Sequence, residues 1–189
     1  MNRKCLQKFQ IKDVVFLAIM SAVALATCAV MPLVISLQPL IFGISQLVTA
    51  LQIGVFFAIG LYKVRKPGSL LLMALMMGLI QLMMSPPMFL SSVLNGVLIE
   101  LIVLLLFRGY EKDGAVFVAA MLHTPLSLPF NYLYNRLIKG ADSPLAAVAD
   151  RAPLAAVGMT LAVVAVSALG ALIGIKIARE LKKSGVLKK

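Results

Sequence analysis

Apolar residues in this chain gather in long unbroken stretches, and short polar clusters containing Pro or Gly separate them. Stretches near 13–35, 39–62, 69–85, 88–107, 114–137 and 153–178 each approach the roughly 20 residues with which an α-helix crosses the hydrocarbon core of a bilayer. The pattern predicts an all-α polytopic membrane protein: one integral membrane domain over residues 1–189, a bundle of six transmembrane helices, the third being the shortest. Two connections, Lys63-Val64-Arg65-Lys66-Pro67-Gly68 and Arg108-Gly109-Tyr110-Glu111-Lys112-Asp113, are short and charged, and their Pro and Gly are helix terminators. The alternate connections differ. Met31 to Pro39 is apolar with two prolines, Ser85-Pro86-Pro87 reads as a tight turn, and Lys139 to Pro153 is long and mixed. Such loops either cover a site or rest on lipid headgroups. The chain has no internal repeat, so the inverted-repeat design of many secondary transporters finds no support.

Composition strengthens the membrane reading. The chain is 61% hydrophobic with a mean hydropathy of +1.01, and its 13% charged residues are about half the share a soluble domain uses to cover its core. A formal charge of +11 could point to nucleic acid, but the basic residues sit at helix ends rather than in a groove with aromatic partners, and no nucleic-acid partner is expected. Counting Lys and Arg by connection orients the bundle. With the N-terminus inside, Arg3, Lys4, Lys8, Lys12, Lys63, Arg65, Lys66, Arg108, Lys112, Lys176, Arg179, Lys182, Lys183, Lys188 and Lys189 are cytoplasmic, which is fifteen of the 18. Only Arg136, Lys139 and Arg151 fall outside. Both termini are therefore expected in the cytoplasm. A cleaved signal peptide is disfavoured because the first apolar run is too long and Thr27 precedes Cys28 where a smaller residue is expected. Cys5 and Cys28 lie on opposite sides in this topology and cannot pair.

Polar groups inside the apolar stretches are the candidates for function, because each costs free energy in lipid and needs a partner. Glu100 is the one acidic residue well inside a span, and helical spacing places it on a stripe with Ser92, Asn95 and Gly96. It either contacts a ligand or ties two helices together. His123, the sole histidine, opens a segment through Arg136 in which Pro125 and Pro129 are expected to prevent a regular helix and free carbonyls that must be buried in protein or face a wet cavity; it marks either a binding site or a plain kink with Asn131, Asn135 and Arg136 at the outer interface. Gln46, Thr49, Gln52 and Gln81 add polar groups to the second and third spans. Gln46, Gln81, Asn95, Glu100, His123, Asn131, Tyr132 and Asn135 are together expected to line an outward-facing pocket for a small molecule with hydrogen-bonding edges. The chain has no Trp, so stacking falls to Tyr132, Tyr134 or Phe130.

Enzymatic chemistry finds little material. A single histidine cannot supply His-Glu-x-x-His, and neither a Gly-x-Ser-x-Gly elbow nor a Walker-type phosphate loop is present. No cofactor or metal is expected, and energy from ATP would have to come from a partner. Ala18, Ala22 and Ala26 recur every four residues on the first span, and Gly170 and Gly174 form a Gly-x-x-x-Gly pair on the last; small residues of this kind mark close helix contacts.

On these residues the chain resembles an S component, the substrate-binding membrane subunit, of an energy-coupling-factor (ECF) ABC importer. Ala18-Ile19-Met20-Ser21-Ala22 resembles the Ala-x-x-x-Ala signature by which S components dock to the coupling subunit. Arg65-Lys66-Pro67-Gly68 and Ala178-Arg179-Glu180-Leu181-Lys182-Lys183 are similar to the thiamin-related, YkoE-like members. The resemblance implies a prokaryotic multi-pass cell-membrane protein that captures a vitamin or related micronutrient outside. It then associates, through Ala18, Ala22 and Ala26, with a transmembrane coupling subunit and two cytosolic ATPases. In the family the first outer loop and the outer halves of later helices form the pocket, here Gln38 to Gln46, Asn95, Glu100 and His123 to Asn135. The missing Trp departs from the stacking residues of thiamin binders. Two other readings compete: a self-sufficient proton-coupled carrier with Glu100 and His123 as its relay, and a membrane scaffold without a ligand.

Overall fold

The terminators read in the sequence act where chain geometry requires them. Ser85 is extended (φ −166°) and Pro86 and Pro87 open the helix after it, since a proline in the first turn has no intrahelical donor to lose. Gly43 (φ 76°) and Gly68 (φ 88°) precede the second and third helices in the left-handed region, where a side chain would be strained. Arg65 and Arg108 adopt the same conformation and close helices through N–H donations to Leu61 and Leu104.

The computed structural model describes residues 8–28, 33–34, 36–140 and 143–187, and in them the chain forms α1 (Ile11–Thr27), α2 (Ile44–Val64), α3 (Ser69–Leu82), α4 (Pro86–Phe107), α5 (Asp113–Ile138), α6 (Pro144–Arg151) and α7 (Pro153–Lys183). Excepting short α6, the helices close a ring in the order α1, α2, α7, α5, α4, α3, with α2 and α5 also in contact across its middle. The tightest seam is α2 on α7. A Cβ at Gly170 would lie 2.5 Å from the Leu51 carbonyl oxygen and one at Gly174 equally close to that of Val55, so these glycines let two backbones touch. The Gly-x-x-x-Gly pair is thus spent within the chain.

Apolar packing fills the half of the ring nearer the charged connections: Leu17, Phe57, Leu61, Leu70, Met73, Ile99, Val103 and Val116 are all fully buried there. Ion pairs tie that end together. Asp113 receives both Arg65 and, at 2.6 Å, Arg179, while Lys66 reaches Asp13 at 2.6 Å. Large apolar side chains such as Leu105, Leu154 and Leu161 point outward, as a lipid-facing surface requires. Four helices, α2, α4, α5 and α7, are long and apolar enough to cross a membrane; α3 has 14 residues and α1 has 17.

Three features depart from the sequence reading. In the 13–35 stretch the first helix ends at Thr27, with residues 29–32 and 35 outside the described residues. The long connection after Lys139 contains α6. Most consequentially, Pro125 and Pro129 do not break their helix, because α5 runs continuously from Asp113 to Ile138. At Pro125 the reason lies across the bundle. Pro125 cannot donate to the Met121 carbonyl, and the Ser167 hydroxyl of α7 donates to it instead, at 2.7 Å. Arg3, Lys4, Cys5, Lys188 and Lys189, used in the charge count or the cysteine argument, lie outside the described residues; Cys28 is buried at the end of α1.

Candidate functional site

The half of the ring away from the charged connections is not filled. It holds a cavity of about 620 Å³, walled by α2, α3, α4 and α5 and bordered by Gln38, Pro39, Ser143 and Leu145. Each helix contributes one stripe. Gln46, Thr49 and Ile53 come from α2 and Met77 and Gln81 from α3, at spacings of three or four residues that place side chains on one helix face, and α4 adds Asn95 with Ser91 and Ser92, four and three residues before it. The longest stripe is on α5, where Thr124, Ser127, Asn131, Asn135 and Lys139 descend from a fully enclosed floor to an exposed mouth. Continuity of α5 through both prolines produces this arrangement; a broken helix would have scattered these groups.

Polar groups at the floor are short of partners. Asn95 Oδ1, His123 Nδ1 and Thr124 Oγ1 are buried and make no hydrogen bond among the described residues. A buried polar atom without a partner costs about 1–3 kcal/mol, so three in one cavity wall indicate a ligand or ordered water that completes them. The His123 ring rests against Phe57, centroids 4.4 Å apart, which fixes its plane at the cavity wall. Other lining groups are already committed: Gln46 Oε1 accepts from the Ser45 hydroxyl at 2.9 Å, and Ser92 donates to the Ala74 carbonyl at 2.9 Å. At the mouth, Ser143 donates to Asn135 Oδ1 at 3.1 Å and holds the start of α6 against α5.

Six of the eight residues singled out in the sequence line this cavity: Gln46, Gln81, Asn95, His123, Asn131 and Asn135. The structure does not bring Glu100 to it. Glu100 lies five residues beyond Asn95, about 7.5 Å along α4 at 1.5 Å per residue, and faces the charged end. There its carboxylate accepts from the Gly68 N–H at 2.6 Å and from the Tyr110 hydroxyl at 2.9 Å. Burial, followed by the neighbouring Glu100 charge, holds the Tyr110 hydroxyl well above the usual phenol range, so it remains a donor. Tyr132 is also elsewhere, donating to Asp150 at 2.7 Å beside Arg136, and this group ties α6 to α5. Of the other amides, Gln52 is outside the cavity wall. Lys139 was not selected from the sequence, and Thr124 and Ser127 entered only within the range His123 to Asn135, although the three- and four-residue spacing of all three with Asn131 and Asn135 is visible there once α5 is taken as unbroken.

On α1, Leu17, Ser21, Ala24 and Cys28 turn inward, while Ala18 is half-buried and Ala22 and Ala26 are exposed. The alanine stripe is therefore not the inward-facing seam of α1.

The fold has a solved counterpart. The crystal structure of an S component of an ECF transporter superposes with a TM-score of 0.66, covering 95% of this chain and 89% of that one at 20% sequence identity, a likeness of fold. No curated protein matches the chain. Its apolar helices and outward apolar surface are those of a multi-pass membrane protein. The family model for a hypothetical bacterial integral membrane protein (Trep_Strep) matches residues 11–183, from the first residue of α1 to the last of α7, and the chain belongs to that family.

Proposed function

We propose that this protein is the substrate-capture subunit of an ECF-type ABC importer for a vitamin or related micronutrient, a thiamin-related pyrimidine being one candidate. The observation that carries the reading is the cavity with its three unpartnered floor groups, enclosed by helices yet open at one end. The solved S component to which the fold is similar supports it, as does the outward position of Ala22 and Ala26 on α1, where small residues leave room for another helix. In this reading the helices α1 to α5 and α7 are the six spans, both termini are cytoplasmic and the cavity opens outward. The basic connections then lie on the cytoplasmic side. The partners are a transmembrane coupling subunit at the alanine stripe and two cytosolic ATPases. Uptake needs no chemistry from this chain, only capture of the ligand and a change of access driven by the partners.

The proton-coupled alternative loses its main support, because Glu100 is engaged by Gly68 and Tyr110 whereas His123 stands at the cavity on Phe57. The deciding experiment is uptake of the compound that co-purifies with the chain, identified by mass spectrometry. Loss of uptake when the partner ATPases are deleted is the expected result. Uptake that persists without them and collapses with a protonophore would sink the proposal.

A further inference from the structure

The cavity has a marked bias in charge. Its buried half is made of Gln46, Thr49, Gln81, Ser92, Asn95, His123 and Thr124: amides, hydroxyls and an imidazole, without a carboxylate among the described lining residues. The carboxylates of α4 and α6 are engaged elsewhere. Both oxygens of Glu100 accept hydrogen bonds at the charged end of α4, and Asp150 is paired with Arg136 and held by Tyr132. Among the described lining residues the one formally charged group is Lys139, at the mouth.

We infer that the ligand is not a cation: the part that enters the buried half is uncharged and hydrogen-bonds along more than one edge, and any charge it carries is negative and stays at the Lys139 mouth. This inference rests on the substrate-capture reading and narrows it to a class. The physical reason is desolvation. A cation entering this half exchanges its water for dipoles alone, with no opposite charge to offset the loss in a low-dielectric wall, whereas amides and hydroxyls satisfy a neutral polar edge in full. Gln81 and Asn95 supply amide donors and an acceptor, Gln46 its amide donors, and Thr124 adds a hydroxyl that does either, so a flat or compact molecule with mixed donors and acceptors finds complements on several sides. Depth decides the order: the unpartnered groups of Asn95, His123 and Thr124 are at the floor, and Lys139 is four residues beyond Asn135 on the same stripe, at the exposed end.

The test uses the purified chain in detergent and a low-molecular-weight extract of bacterial cells, divided by ion exchange at neutral pH into cation-retained, anion-retained and unretained fractions. A ligand that binds the folded state raises the thermal unfolding midpoint. The expected result is a rise with the unretained or the anion-retained fraction, lost in Asn95→Ala and in Thr124→Val. Lys139→Gln reduces the rise if the active fraction is anionic and leaves it unchanged if it is neutral. A rise confined to the cation-retained fraction and lost in the same two variants overturns the charge class while substrate capture stands. A rise that survives both variants places binding outside this cavity and overturns the inference. No rise with the unfractionated extract removes the substrate-capture reading and this inference with it.

Discussion

Glu100 shows how a single side chain changes meaning with its neighbours. An intramembrane carboxylate is expensive, and the expense is met here by the Gly68 N–H and the Tyr110 hydroxyl, which join α4 to both connections at the charged end. Glu100→Gln keeps the shape but replaces the two carboxylate acceptors by an uncharged amide with one acceptor oxygen, so that both charge-assisted bonds are lost and the Tyr110 hydroxyl can no longer donate as it does now. We expect it to lower stability by about 1.5–3 kcal/mol, with ligand affinity nearly unchanged, because hydrogen bonds to charged groups are worth that much. Thermal unfolding and titration of the purified variant with the co-purifying compound measure the two effects separately. A tenfold or greater loss of affinity without loss of stability would return Glu100 to the binding site. His123→Ala is expected to do the reverse, weakening binding while the ring's packing on Phe57 accounts for a modest loss of stability.

At the level of elements, the seam between α2 and α7 and the repaired proline of α5 are the vulnerable joints. Gly170→Ala would place a methyl 2.5 Å from the Leu51 carbonyl oxygen, a backbone atom that cannot swing aside, so the two helices must separate. Overpacking of this kind costs about 1–3 kcal/mol. Gly158, on the same helix, has nothing within 4 Å of a built Cβ, and Gly158→Ala should be neutral or stabilising by up to about 1 kcal/mol because Gly is the poorer helix former. Equal effects of the two changes on the unfolding midpoint would show that close backbone approach is not what holds the seam. Ser167→Ala strips the Met121 carbonyl of its donor, at an expected cost of about 1–3 kcal/mol, and should also loosen α5 where it forms the cavity wall.

For the whole molecule, the orientation and the docking face remain as expectations with direct tests. In a cysteine-free background, a Cys at Ser184 should be shielded from a membrane-impermeant thiol reagent in intact cells and labelled after permeabilisation; labelling from outside would invert the topology. Ala22 and Ala26 are exposed on α1, so bulky replacements there, together with Ala18, should abolish association with a coupling subunit and uptake while the isolated chain still binds its ligand. Collapse of the fold instead would assign the stripe to packing of the bundle itself.

Apolar run length, the Pro and Gly terminators and the placement of charge were legible along the chain because they act over a few residues: helix propagation, termination and the cost of charge in lipid need no knowledge of what lies across the bundle. Part of the cavity wall was legible for the same reason, since Gln46, Gln81, Asn95, His123, Asn131 and Asn135 are polar groups in apolar surroundings. Proximity between helices was decided only by the tertiary structure. Nothing within α5 tells that Ser167, 46 residues from Met121, donates to the carbonyl freed by Pro125, and without that bond the segment reads as broken. Nothing within α4 tells that Glu100 meets Gly68 and Tyr110 whereas Asn95, on the same stripe, faces an unfilled space. Identical local cost, a buried polar group, is resolved in one place by the protein and in the other left without a partner among the described residues, and only the packing of six helices distinguishes the two.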